Sequence, residues 1–221
     1  CREVVSALPK LKLLLTSGMK NAAFDMATLS ERGVTVCGTG SVGSPTAGLA
    51  IALMLELTRR IGFENARMHA GEAWQVTVGR DLEGMTLGVI GLGKLGAKVA
   101  AIAKALGMNV IAWSQNLTPD KCAEAGVAYA SKDDLFAQAD IITIHLVLSA
   151  RSRGLVGAAD IARMKPSAYL INTARGPIVD ETALLKALQD GRIAGAGLDT
   201  FSQEPLPADH PLRKLDNVVL T

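Results

Sequence analysis

Residues 85–107 read MTLGVIGLGKLGAKVAAIAKALG, and the order of events in that run decides the fold. Thr86 to Ile90 has strand character, Gly91-Leu92-Gly93-Lys94-Leu95-Gly96 is a GxGxxG loop, and Lys94 to Leu106 has the pattern of a helix rich in small apolar residues. Each glycine in such a loop has a physical purpose. The first makes the tight turn, the second lets the main chain approach a pyrophosphate, and the third lets helix and strand pack closely. The helix then offers unpaired N–H groups and the positive end of its dipole to the phosphates. A GxGxxG run alone is a weak signal. Between a strand and a helix it predicts dinucleotide binding at Gly91, Gly93, Lys94, Leu95 and Gly96.

Toward the C terminus, short apolar runs alternate with helical segments. Asn109–Trp113, Val127–Ala130, Asp140–Ile144, Ala168–Asn172, Ala194–Leu198 and Val218–Leu220 read as strands. Pro119–Ala125, Lys132–Gln138, Ala158–Met164 and Asp180–Gln189 read as helices, the last with Gly191 just past its end. This alternation predicts an α/β fold, a Rossmann-type doubly wound parallel sheet over residues 44–221. Toward the N terminus, Ser44-Pro45 is a good N-cap and first-turn pair for a long apolar helix reaching about Ile61. Its Ala, Leu, Ile and Met content predicts burial on several faces, between domains or subunits. Residues 1–43 hold two short strands, Leu11–Leu15 and Val34–Cys37, around a segment containing Phe24–Leu29. They supply too little core for a free-standing domain and predict the C-terminal part of a second one.

Composition narrows the function classes. With 49% hydrophobic and 20% charged residues the chain is globular, and a net charge of +2 without a basic stripe argues against a nucleic-acid partner. The longest apolar stretches, Ala47–Leu57 and Ile141–Leu148, are shorter than the ~20 residues of a membrane span, so no membrane association is expected. Cys1, Cys37 and Cys122 are odd in number and lack metal-binding spacing, which predicts free thiols in a reducing, cytoplasmic compartment and no metal site.

The residue that reads the adenosine ribose is expected at the end of the next strand, about 20 residues after the loop, where an Asp or Glu would bond the ribose hydroxyls and repel a 2′-phosphate. Here Ser114 takes that place, followed by Gln115 and Asn116, with neither an acid nor an adjacent Arg. NAD and NADP both stay open as cofactors.

Three runs in fixed order, GLGKLG (91–96), NTARGPIVDETALLKAL (172–188) and GAGLDTFSQEPLP (195–207), resemble the D-isomer-specific 2-hydroxyacid dehydrogenase family, and the likeness extends over essentially the whole chain. Leu13 to Asp25 resembles the end of a strand and loop in that family's flavodoxin-like substrate domain. The resemblance implies hydride transfer between NAD(P)H and a 2-keto acid, with the D-2-hydroxy acid as the other partner. It assigns Arg175 and Glu204 to the catalytic trio and places Asp199 beside the nicotinamide. It also puts His145, Leu146, Thr173, Ala174 and Arg175 next to the cofactor. An Arg suits a carboxylate because its fork makes two charge-assisted bonds. The backbone amides of Ser17, Gly18 and Met19 are expected to share that anion.

The family's third member, a His in a Pro-His dipeptide, is expected just after Thr221 and is absent. His69, His145 and His210 are expected in structural or cofactor-side roles, so the 221 residues alone should show negligible turnover. Glu204 stands where the related formate dehydrogenases carry Gln, which argues against formate as substrate. Other departures are Val147, where Pro is common, and the basic Arg151-Ser152-Arg153 in place of an acidic-Thr-Arg run. The resemblance further implies a homodimer, with the helix beginning at Ser44 as its contact. An NAD(H)-sensing regulatory protein on a dehydrogenase fold is the alternative from another class, and Arg175 together with Glu204 favours a reaction.

Overall fold

The computed structural model describes residues 2–18, 24–40 and 44–221; Cys1, Met19 and the Ser44 side chain lie outside the described residues. The chain divides into two compact units, Cys1–Gly43 and Ser44–Thr221.

The first unit runs α1 (Arg2–Ser6), β1 (Leu13–Thr16), α2 (Met26–Glu31) and β2 (Thr35–Gly38), with β1 and β2 paired in parallel. Its core is small: Val5, Leu29 and Val34 are buried, with Leu11, Leu14, Phe24 and Val36 packed around them. Asp25 caps α2, accepting from the Thr28 N–H at 3.0 Å and the Thr28 hydroxyl at 2.7 Å. Helix α1 has no strong local signal. The Arg32 guanidinium closes its end by donating to the carbonyls of Val5 and Leu8, and that donor comes from 24 or more residues away.

The second unit opens with α3 (Ser44–Arg59) and α4 (Ile61–His69), then alternates β3 (Thr86–Ile90), α5 (Lys94–Ala105), β4 (Asn109–Trp113), α6 (Pro119–Glu124), β5 (Ala128–Tyr129), α7 (Lys132–Gln138), β6 (Ile141–Ile144), α8 (Ala158–Arg163), β7 (Tyr169–Asn172), α9 (Glu181–Gln189), β8 (Gly195–Leu198) and β9 (Val218–Leu220). The seven strands form one parallel sheet in the order β5-β4-β3-β6-β7-β8-β9. The order reverses between β3 and β6, and a ligand crevice opens at that switch point, outside the carboxyl ends of the strands. Both faces of the sheet are covered, so its strands read as continuous apolar runs. Leu87, Val89, Ile141 and Ile171 pack with α3 and α5 on one side, while Ile90, Ile142, Ile144 and Leu170 pack with α7, α8 and α9 on the other.

The helix from Ser44 differs from its sequence expectation in two ways. Its buried stripe, including Ala47, Ala50, Ile51, Met54 and Leu57, packs on α5, β7, β8 and β9 of its own unit. It also breaks at Arg60, which adopts a left-handed φ of 52°. The Glu56 carboxylate then accepts from the Gly62 N–H at 2.9 Å, supplying a partner to the new helix start. Helix α4 buries no residue. No described helix is long and apolar enough to cross a membrane.

Candidate active site

The phosphate loop has the geometry its sequence predicts. Gly91 sits at φ 98°, where L side chains are strained, and its N–H donates to the Trp113 carbonyl at 2.9 Å. A Cβ on Gly96 would stand 2.0 Å from the Gly91 carbonyl oxygen, so only glycine lets α5 start this close to the loop. Gly93 is the N-cap of α5 and provides no side-chain bond, and a Cβ built on it would meet nothing within 4 Å. The first-turn amides of Lys94 and Leu95 follow at a helix N-terminus, where an anion is favoured.

Along the same edge, Ser114 is half-buried at the end of β4. His145 follows β6, with Nε2 3.0 Å from the Thr143 hydroxyl and Nδ1 buried without a hydrogen-bond partner. Burial pulls its pKa down to about 4, so the ring is neutral near pH 7 and cannot serve there as a proton donor. Leu146 next to it is half-buried. After β7, the Thr173 hydroxyl is likewise buried and unpartnered. Buried polar atoms normally find partners. Two orphans beside an open helix start fit a dinucleotide, whose hydroxyl, amide and phosphate groups answer such atoms.

Asn172 shapes the next turn, a role the sequence reading missed. Its Oδ1 accepts from the Ala174 N–H and its Nδ2 donates to the Arg175 carbonyl, both at 3.0 Å. The only local hint is the Asn at the head of the NTARG run. Arg175 is exposed, and its guanidinium donates to the Ala174 carbonyl at 2.7 Å. A Cβ on Gly176 would lie 2.0 Å from the Phe201 carbonyl carbon, so the Arg175 turn is pressed onto the Phe201–Ser202 backbone.

Glu204 belongs to that second loop and accepts from the Phe201 N–H at 3.0 Å. Arg213 braces the loop through the carbonyls of Leu206 and Pro207, and Glu181 accepts from the Ser202 N–H at 3.1 Å. Asp199 and Glu204 line one shallow cavity of about 560 Å³ with Thr200, Phe201, Arg213 and Thr221. The Thr221 hydroxyl donates to the Asp199 carboxylate at 3.1 Å. No ion pair joins Arg175 to Glu204 among the described residues; their loops abut while both charges stay exposed. His210 is 3.5 Å from Glu181 and accepts from the Leu212 N–H, a bracing position. In the first unit, the Gly18 N–H donates to the Thr39 hydroxyl at 3.2 Å, and Ser17 follows β1 directly.

An edge built this way takes a dinucleotide, which makes the second unit a nucleotide-binding domain of the dehydrogenase type. Comparison with known proteins narrows this to one family. A family model described as "D-isomer specific 2-hydroxyacid dehydrogenase, NAD binding domain" matches residues 51–221, and the chain belongs to that family. It is 38% identical over 224 residues to a glyoxylate reductase of Korarchaeum cryptofilum, covering 99% of this chain and 68% of that one. The structure of a phosphoglycerate oxidoreductase from Vibrio cholerae O395 superposes with a TM-score of 0.94 at 32% identity, over 100% of this chain and 72% of that one. A D-lactate dehydrogenase from Aquifex aeolicus, solved with NAD and lactic acid, gives a TM-score of 0.83 at 30% identity, over 100% and 72% of the two chains. The protein is thus an NAD(P)-dependent oxidoreductase acting on 2-hydroxy and 2-keto acids.

Proposed function

We propose that the protein reduces a 2-keto acid to the D-2-hydroxy acid, with Arg175 binding substrate and Glu204 positioning the proton donor. The observation that carries this reading is the packing of Gly176 on Phe201–Ser202, which holds the Arg175 and Glu204 loops side by side at the carboxyl edge of the sheet. The Arg175 guanidinium is proposed to leave the Ala174 carbonyl and fork onto the substrate carboxylate, while stabilising negative charge on the C2 oxygen. When bound, reduced nicotinamide supplies the hydride to C2. Glu204 is proposed to hydrogen-bond an imidazole, fixing its orientation and favouring its protonated form, so that the alkoxide collects a proton from it. That imidazole belongs to the family's Pro-His dipeptide, a sequence that the 221 residues do not contain. Gly91, Gly93, Lys94, Leu95, Gly96, Ser114, His145, Leu146, Thr173, Ala174 and Asp199 are the proposed cofactor contacts. In the first unit, read as the C-terminal part of the substrate domain, Ser17, Gly18 and Met19 are the proposed substrate contacts, Met19 lying outside the described residues.

Steady-state reduction of glyoxylate, hydroxypyruvate and bulkier 2-keto acids by the full-length protein tests this. Arg175→Ala is expected to lower kcat/KM by about 10²–10³-fold, the range for removing one donor to developing negative charge. Glu204→Gln should leave KM nearly unchanged and shift the pH profile of kcat. An Arg175→Ala variant with the wild-type rate sinks the assignment.

A second copy of the chain is the proposed macromolecular partner, and free Cys37 and Cys122 suit a reducing, cytoplasmic compartment. Support for the dimer comes from α4 and the segment after it, where Ile61, Met68, Trp74, Val76 and Val78 are exposed, Val78 at 92%. This surface is proposed beside the helix from Ser44, whose buried stripe covers its own sheet while Gly48 and Ala52 stay exposed. Trp74→Asp with Val78→Asp should halve the mass in light scattering, and a mass that stays dimeric would place the contact elsewhere.

A further inference from the structure

Two loops that the sequence separates by 35 residues meet at the end of β4. The Gln115 side-chain amide donates to the Arg151 carbonyl at 3.2 Å, and the Arg151 guanidinium donates to Asn116 Oδ1 at 3.3 Å. Arg151 thus stands beside the position from which an adenosine ribose is read. Three further observations bear on what it does there.

No carboxylate guards that position. Ser114, Gln115, Asn116, Leu117 and Thr118 are all uncharged, and the first acid is Asp120, in the first turn of α6. An Asp or Glu at the strand end would bond the ribose diol and repel a phosphate on its 2′ oxygen; here that repulsion is missing. Secondly, Arg151 keeps its charge available. Its partner Asn116 is neutral, and no ion pair to Arg151 occurs among the described residues, so most of its five N–H donors stay open. Lys132, another cation nearby, cannot substitute. It lies 6.0 Å from the Trp113 ring, yet its ammonium is tied to the Asp160 carboxylate and the Leu155 carbonyl at 2.7–2.9 Å.

Thirdly, Arg151 is carried on a turn that is already closed. The buried Ser152 hydroxyl accepts from the Ser149 N–H at 2.8 Å and donates to the Val147 carbonyl at 2.7 Å. The N–H groups of Ser152 and Arg153 return to the Ser149 carbonyl at 3.1 and 3.0 Å. Little ordering is left for a ligand to impose, which favours tight capture of a compact dianion.

From this juxtaposition we infer that Arg151 and Ser114 form a clamp for the 2′-phosphate of NADP(H), and that the protein takes NADP(H) in preference to NAD(H). The inference rests on the dinucleotide reading of the carboxyl edge. Arg151 is a specificity residue here, since it touches the adenosine half of the cofactor and not the reacting atoms. Its guanidinium fork matches two phosphate oxygens, and Ser114 supplies a short, uncharged hydroxyl that leaves room for the group.

The test is equilibrium titration of the full chain with NAD⁺ and NADP⁺, read by calorimetry and by quenching of Trp113, and repeated with 5′-ADP and 2′,5′-ADP to isolate the phosphate. NADP⁺ should bind about tenfold or more tightly than NAD⁺, the range for hydrogen bonds to a charged group, and the gap should narrow as salt rises. Arg151→Ala should remove the gap while leaving NAD⁺ affinity within about twofold, and Ser114→Asp should reverse it. A chain that binds NAD⁺ as tightly as NADP⁺, or whose preference survives Arg151→Ala, overturns the inference and leaves the dinucleotide site standing. Binding of neither nucleotide would instead overturn that site, and the inference with it.

Discussion

At the amino edge of the seven-stranded sheet, Asp140 accepts from the Thr86 N–H at 2.9 Å and pairs with Lys165 at 2.8 Å. Arg80 there donates to the Ser167 carbonyl at 2.8 Å, Asn109 to the Gly84 carbonyl at 3.1 Å and Asn217 to the Leu188 carbonyl at 3.2 Å. At the opposite edge of the same strands, His145 Nδ1 and Thr173 Oγ1 are buried with nothing to bond. The other two such atoms among the described residues belong to Arg67 and Arg192, guanidinium groups that are already bonded through their remaining nitrogens. One edge closes its polar groups on itself, and the other holds them open. A buried polar group without a partner costs about 1–3 kcal/mol, so the open edge carries a standing cost. The contrast separates residues that hold the sheet together from buried polar groups left unpaired at the edge where the crevice opens.

Substitution of Arg175 is the largest expected effect on activity. The next sharpens the contrast through stability. His145 titrates near its usual 6.5 in the unfolded chain and at about 4 when folded, because burial disfavours the imidazolium. The stability from keeping the ring neutral is fully present above pH 6.5 and is lost as pH falls toward 4. That difference amounts to up to about 3 kcal/mol. Urea unfolding at pH 7.5, 5.5 and 4 should reveal it, and His145→Gln should flatten the curve across the same window. An equally steep curve in the variant would mean that the carboxyl edge does not store this cost.

The sheet was readable in the sequence because its central strands β3, β6, β7 and β8 are buried on both faces and appear as apolar runs, Ile141–Ile144 being the plainest. Strand and helix ends slipped by one residue where the flanking position caps or anchors. Asp180 is the N-cap of α9, accepting from Ala183, and Asp140 precedes β6 as the anchor for Thr86 and Lys165. The glycine loop was legible for a different reason, since the close packing that requires its glycines is local. What escaped depends on partners far along the chain. The closure of α1 by Arg32 and the meeting of Arg151 with Asn116 are both tertiary, and no window of neighbouring residues encodes them. Arg175 and Glu204 came from resemblance alone; the strand pattern predicts where such residues would stand, not which would stand there.

The smallest expected effect tests the other half of the contrast. Burial works against the Asp140 charge, yet bonds from Lys165 and the Thr86 N–H, with the Lys165 and Arg80 charges, outweigh it and hold the carboxyl below its usual range. Its side chain is 18% exposed, so Asp140→Ala strands an amide and an ammonium that have little water to turn to. The Lys165 side chain is 38% exposed and recovers part of its hydration, which limits the loss to about 1–3 kcal/mol. Because Asp140 stands at the amino end of β6 and His145 just past its carboxyl end, the same strand spans both edges. If the edges divide structure from function, chemical denaturation of Asp140→Ala shows that loss while its affinity for NADP⁺ stays within about twofold of wild type. An affinity that falls tenfold alongside the stability would mean that the strand transmits strain from one edge to the other, and the division between them would not hold.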